Sequence, residues 1–137
     1  MSTRAEVRNA FDALTASTLS VSPVIPVLYG NQYDVRLSEG SADYIKQRVF
    51  FSSDDQASLG DQGFRRHKGY VLFLVFVRKG SGDLARDNIL DRLSAAFASK
   101  FVGPATTLDP QMVVSSQSEN WDVTGMQIPF YFDNYEE

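Results

Sequence analysis

The chain has 137 residues, 43% of them hydrophobic, with 13 basic and 17 acidic side chains and a net charge of -4. That is the size of one domain, long enough to bury roughly two-thirds of the surface an unfolded chain exposes. The absence of cysteine excludes disulfides, thiolate catalysis and cysteine-based metal sites, and the acidic balance gives no general footprint for nucleic-acid phosphates.

The first residues lack an apolar run of signal-peptide length. The most apolar stretch, 70–77, is too short to span a bilayer as a helix. The expectation is a soluble protein kept where it is translated. Thr3-Arg4-Ala5-Glu6 is a capping box, with Thr3 as N-cap. Val7, Ala10, Phe11 and Leu14 follow at helical spacing, which predicts a first helix over 2–17. Pro23 and Pro26 then push their preceding residues into extended conformations, so 24–29 reads as a short strand or arm. The polar segment 30–42 reads as loop.

Residues 44–51 alternate. Ile45, Gln47, Val49 and Phe51 share one face, and Tyr44, Lys46, Arg48 and Phe50 share the other. The polar stretch 52–68, with Gly60 and Gly63, reads as a long loop of the kind that carries function or orders on binding. Residues 70–77 are apolar on both faces and rich in β-branched and aromatic types, which predicts a central strand needing cover on both sides. Other strands, a loop or a neighbouring subunit would supply the second cover. Residues 83–100 read as the second helix, capped by Ser81 or Asp83, with Lys100 suiting the negative end of its dipole. Strands follow at 112–117 and 120–132. Pro129 cannot donate to a ladder and is expected at an edge or bulge. The predicted fold is α+β, a mainly antiparallel sheet with two helices packed on one face, in a single domain over residues 1–137.

Candidate chemistry is sparse. His67 is the single histidine and sits in Arg65-Arg66-His67-Lys68. It reads as a solvated loop residue among cations, in preference to a general base or metal ligand. Asp54, Asp55 and Asp61 lack the alternate spacing and terminal Glu of a calcium loop. Gly80-Ser81-Gly82 lacks the ending of a phosphate loop and reads as a strand-to-helix turn. Arg65, Arg66 and Lys68 form the densest basic cluster. It is read first as solvated, next as meeting acidic groups of a partner protein, and last as meeting nucleic-acid phosphates. Tyr131 and Tyr135, in the aromatic run with Phe130 and Phe132, are the remaining candidates; the run is read first as core packing and next as a partner interface. No catalytic, cofactor-binding or metal residue is assigned.

Several features occur together in a fixed order. Pro26-Val27-Leu28-Tyr29-Gly30-Asn31 precedes Arg48-Val49-Phe50-Phe51. Leu59-Gly60-Asp61-Gln62-Gly63 and Gly69 come before the apolar strand. Gly80-Ser81-Gly82 leads into a helix with Ala85, Asp87, Ile89 and Phe97, and Trp121-Asp122-Val123 with Ile128-Pro129-Phe130 close the set. Over residues 24–132 this order resembles the tail terminator-like proteins of long-tailed bacteriophages. It departs at Lys79, where many members carry proline. The resemblance implies a structural, non-enzymatic virion subunit without a cofactor. Such a subunit forms a homohexameric ring on the head-proximal end of the tail tube. It stops tube polymerisation, offers a surface to the head connector and lets genomic DNA pass without sequence reading. The alternatives are another neck or head-completion protein, a small nucleic-acid-binding module and a hydrolase.

Overall fold

The structure, a computed structural model, describes residues 3–20, 25–30, 43–56, 64–80, 82–117 and 121–135, and at 52–56, 64–65, 114–117 and 134–135 only the backbone. The first helix, α1 (Arg4–Leu19), starts where the capping box places it. The Glu6 backbone N–H donates to Thr3 Oγ1 at 3.2 Å. The helix continues two residues beyond the predicted end and buries Val7, Phe11, Thr15 and Leu19. A short strand, β1 (Val27–Tyr29), runs parallel to β2 (Tyr44–Gln56). The predicted loop 30–42 lies almost wholly outside the described residues.

The segment 52–68 is not a loop along its described length. β2 continues to Gln56 and β3 (Phe64–Arg78) begins at Phe64, so both flanks form an antiparallel hairpin. A ladder between backbones needs no apolar alternation, so polar residues extend it past the core. A register shift between Phe51 and Ser53 marks where the arm leaves the body. Gly69 stands at that bulge. A Cβ on it would lie 2.0 Å from the Phe50 carbonyl oxygen, so no other residue fits the existing backbone.

β3 is central, as its double apolar pattern predicts. It pairs antiparallel with β2 on one side and, residue for residue from Phe64 to Arg78, with β7 (Trp121–Tyr135) on the other. The second helix, α2, spans Leu84–Phe97. A two-strand hairpin absent from the sequence expectation follows: β4 (Phe101–Val102) and β5 (Ala105–Thr107). Strands this short carry too few residues for alternation to register. Thr107 closes the C-terminal end of α2. Its hydroxyl donates to the Phe97 carbonyl and accepts from the Lys100 backbone N–H at 2.8 Å.

The sheet order is β1-β2-β3-β7-β5-β4, with β6 (Gln111–Gln117) also pairing β7. β5 and β6 thus share one side of β7 at different heights. Pro129 is therefore not on an edge strand, contrary to expectation. Its carbonyl accepts from the Leu108 N–H at 2.9 Å, so its nitrogen faces the gap between β5 and β6 and the ladder to β3 loses nothing. The described elements form one α+β domain with a mostly antiparallel sheet.

Alternation on β3 sorts its side chains sharply. Val71, Phe73, Val75 and Val77 are 0–2% exposed, while Tyr70, Leu72, Leu74 and Phe76 are only half-buried. The first set joins the main core with Ile45, Met126, Ile128, Phe130 and Phe132. Phe97 of α2 meets Phe73 edge-on at 5.1 Å, and Phe11 of α1 meets Phe130 at 4.9 Å.

Candidate functional site

The other side of the sheet is built from three strands, and among the described residues it is an open face. The pairings Lys46↔Leu74, Arg48↔Leu72 and Phe50↔Tyr70 place β2 residues beside β3 residues. The pairings Leu72↔Gln127, Tyr70↔Pro129 and Lys68↔Tyr131 add β7. Four long cations on this face lie on rings. Lys46 Nζ is 5.4 Å from the Phe76 centroid, and Arg48 Cζ is 5.0 Å from that of Phe50. Arg78 Cζ is 5.7 Å from Trp121, and Arg66 Cζ is 4.3 Å from Tyr131. Rings also stack on rings: Phe50 on Tyr70 at 5.0 Å and Tyr44 on Phe76 at 4.5 Å. At one end Leu28, Tyr44 and Trp121 form a small second core. The result is an aliphatic and aromatic centre bordered on the β2 side and at both ends by cations whose heads lie over rings.

Of the five candidate residues, the structure brings three together on the arm of this face. Arg66 and Asp133 are direct cross-strand partners. Nε and Nη2 of Arg66 donate to the two carboxylate oxygens of Asp133 at 2.9 and 3.0 Å. Arg66 is therefore ion-paired within the chain and not simply solvated as read. Tyr131 lies beneath it, and exposed Lys68 is the cross-strand partner of Tyr131. Arg65 and Tyr135 are placed by register only, opposite Asn134 and Phe64 respectively, and their side chains lie outside the described residues. Asp54 and Asp55 are in β2 and not in a loop; they pair in register with His67 and Arg66, and their side chains likewise lie outside the description. Asp61 lies outside the described residues.

His67 corrects the expectation for it. It is 7% exposed and stacks on Phe132 at 4.7 Å with rings 20° apart. Alternation turns it to the side opposite Arg66 and Lys68, so these two adjacent cations do not share its surroundings. Among the described residues no three His, Cys, Asp or Glu side chains gather as metal donors do, and no helix is long and apolar enough to cross a membrane.

A second polar place lies between α1 and the β1–β2 edge. Gln47, 1% exposed, donates from Nε2 to Asp12 Oδ1 at 2.8 Å, and its Oε1 accepts from the Thr15 hydroxyl. Thr15 Oγ1 also lies 2.9 Å from the Phe11 carbonyl. Asp12 and Gln47 line a recess of about 160 Å³ together with Arg8, Tyr29, Gly30 and Val49. Burial pushes the Asp12 carboxyl above its ordinary range, against the pull of Arg8 and of the Gln47 hydrogen bond. Burial, with the nearby Asp12 charge, raises the Tyr29 phenol as well. The signal in the sequence is a glutamine in line with Ile45 and Val49 on an apolar strand face. Such a residue needs buried partners, and Asp12 and Thr15 are what α1 offers. The network ties α1 to β2.

No family model and no curated protein matches the chain. Among solved structures, one chain superposes over 100% of both lengths with a TM-score of 0.71 at 16% sequence identity. At that identity the likeness speaks for the fold alone.

Proposed function

We propose that the chain is a tail terminator subunit of a long-tailed bacteriophage, assembling as a homohexameric ring on the head-proximal end of the tail tube. The observation that carries the reading is the open sheet face. Phe50, Tyr70, Leu72, Leu74 and Phe76 form a contiguous half-buried centre, and Lys46 and Arg48 border it along β2. Interface centres are apolar and aromatic, with arginine enriched and a polar rim, and a face of this kind serves contact with protein better than turnover of a small molecule. In this reading both helices lie against the buried face, leaving the other for neighbours.

The resemblance through Gly69, the Gly80–Gly82 turn and Trp121 supports the same assignment. Capping is the mechanism: one side of the ring binds the last tube ring and denies the next tube subunit its site. The opposite side meets the head connector, and DNA crosses the lumen unread. The ring contains no enzyme centre and needs no cofactor. Arg66, Lys68 and Tyr131, with Arg65 and Tyr135 on the same arm, belong to a partner interface. The acidic net charge keeps passing DNA from being trapped.

The test is electron microscopy of the purified protein mixed with tail tubes and, separately, with filled heads. Density closing the tube end is expected. Density at the portal alone would instead make the chain another neck component.

A further inference from the structure

We propose that the open sheet face of one copy packs on the acidic outer side of α2 in the next copy. This rests on the ring reading and names which surfaces meet. The outer side of α2 carries Asp83, Asp87 and Asp91, one carboxylate per turn, all exposed. A single cation, Arg86, lies among them, 3.3 Å from Asp83 and 3.5 Å from Asp87. The other guanidinium of the helix is directed elsewhere: Arg92 Nη2 donates to the Thr18 carbonyl at 2.7 Å. Arg86 and the positive end of the helix dipole answer Asp83 and Asp87 in part, and three carboxylates against that one cation leave the stripe net negative.

Those cations are what the open face presents. Lys46 and Arg48 are held over Phe76 and Phe50, flanking Leu72 and Leu74. Their heads already lie over rings, so part of the ordering that contact requires is in place before a partner arrives. Leu84, 75% exposed at the start of α2, matches the apolar centre between them. The two surfaces differ, and α2 packs through Phe97 on Phe73, whose side chain alternates away from Leu72 and Leu74. One copy therefore offers its two surfaces in opposite directions. A contact between unlike surfaces is head-to-tail, the kind that closes a ring. Nucleic-acid phosphates would seek the same cations, but protein–DNA interfaces are polar and wet, and the centre of this face is aliphatic.

Carbodiimide coupling joins an amine to a carboxylate only where they touch. A mixture of unlabelled and nitrogen-15-labelled chain, coupled at high concentration or on tube ends, is expected to yield Lys46–Asp87 or Lys46–Asp91 links between copies. The pair Lys46→Glu with Arg48→Glu, and the pair Asp87→Lys with Asp91→Lys, should each weaken self-association on the order of ten-fold or more, because like charges then face each other. Mixing the two variants should restore it, since each then supplies the surface the other needs. Unchanged thermal melting establishes that both variants fold, and the milder Arg48→Gln and Asp91→Asn serve if they do not. Association that survives both reversals, a loss that mixing does not repair, or an open face that retains DNA and gives no α2 link, overturns this pairing and leaves the ring reading standing. A wild-type chain that stays single with and without tube ends overturns both.

Discussion

The two faces of β3 come from one uninterrupted apolar run, 70–77, yet they do different work. Val71, Phe73, Val75 and Val77 vanish into the core, while Tyr70, Leu72, Leu74 and Phe76 stay half in contact with solvent. Hydrophobicity alone does not separate them. Their cross-strand company does. Phe73 lies beside Gln47 and Met126, which face inward with it, and Leu72 lies beside Arg48 and Gln127. A run that is apolar on both sides announces that both need cover. The neighbouring strands decide which cover the chain makes for itself.

Truncation is the strongest way to separate the faces. Phe73→Ala removes a ring that is fully buried and packed on Phe97, and it should cost about 3–5 kcal/mol, read by denaturant unfolding. Leu72→Ala on the open face should cost well under half of that in the isolated chain and show its effect in assembly instead. Equal losses of stability would mean that the open face is as much a part of the fold as the core.

The bulge tests how the arm is joined to the body. Gly69→Ala puts a Cβ against the Phe50 carbonyl and the Phe130 ring, and backbone cannot give way as a side-chain tip does. A loss of about 2–3 kcal/mol is expected, in the range of overpacking. A neutral outcome would mean that β2 and β3 separate freely past Phe51 and that the arm is not held.

How much of this was legible depended on where the stabilising partner lies in the chain. Both helices were readable because Thr3, Val7 and Phe11, and likewise Ile89, Leu93 and Phe97, carry their signal within a few residues. The arm was not, because Ser52, Ser53, Asp54, Asp55 and Gln56 have no alternation to read. They are extended because the backbone of Arg65–Lys68 pairs with them, and β7 extends the ladder on the far side. The Arg66–Asp133 ion pair spans 67 residues and follows from register alone. The open face was half legible: Lys46 and Arg48 opposite Ile45 and Gln47 marked a mixed face. The stacking of those cations on Phe76 and Phe50 needed the sheet. His67 was misplaced because its charged neighbours in sequence point the other way in a strand.

Thr107 gives a smaller effect on the buried side. Thr107→Val keeps the shape and leaves the Lys100 N–H and the Phe97 carbonyl without that hydroxyl at the end of α2. A loss of about 1–2 kcal/mol is expected by thermal unfolding. The acidic stripe starts from the other end of α2, so self-association should be unchanged, and a parallel loss would show that the helix end belongs to the contact.

Asp12 gives the smallest and most specific effect, at the seam where α1 meets the sheet. Burial raises its folded pKa above the unfolded value. Between those two values the native chain holds more protons than the unfolded one. Stability therefore falls as pH rises through that interval, and the cost is present in full above it. Asp12→Asn removes the charge while its carbonyl oxygen still accepts from Gln47 Nε2. The variant should be slightly more stable than the parent at neutral pH, and the difference should shrink as the solution is acidified toward the ordinary carboxylate range. The carboxyl is only partly buried, so solvent screens it and the shift in melting temperature should be modest. A variant that is less stable at neutral pH, with a deficit that shrinks on acidification, would show instead that the Arg8 cation, and not burial, governs the carboxylate, and that the charge helps to hold α1 on β2.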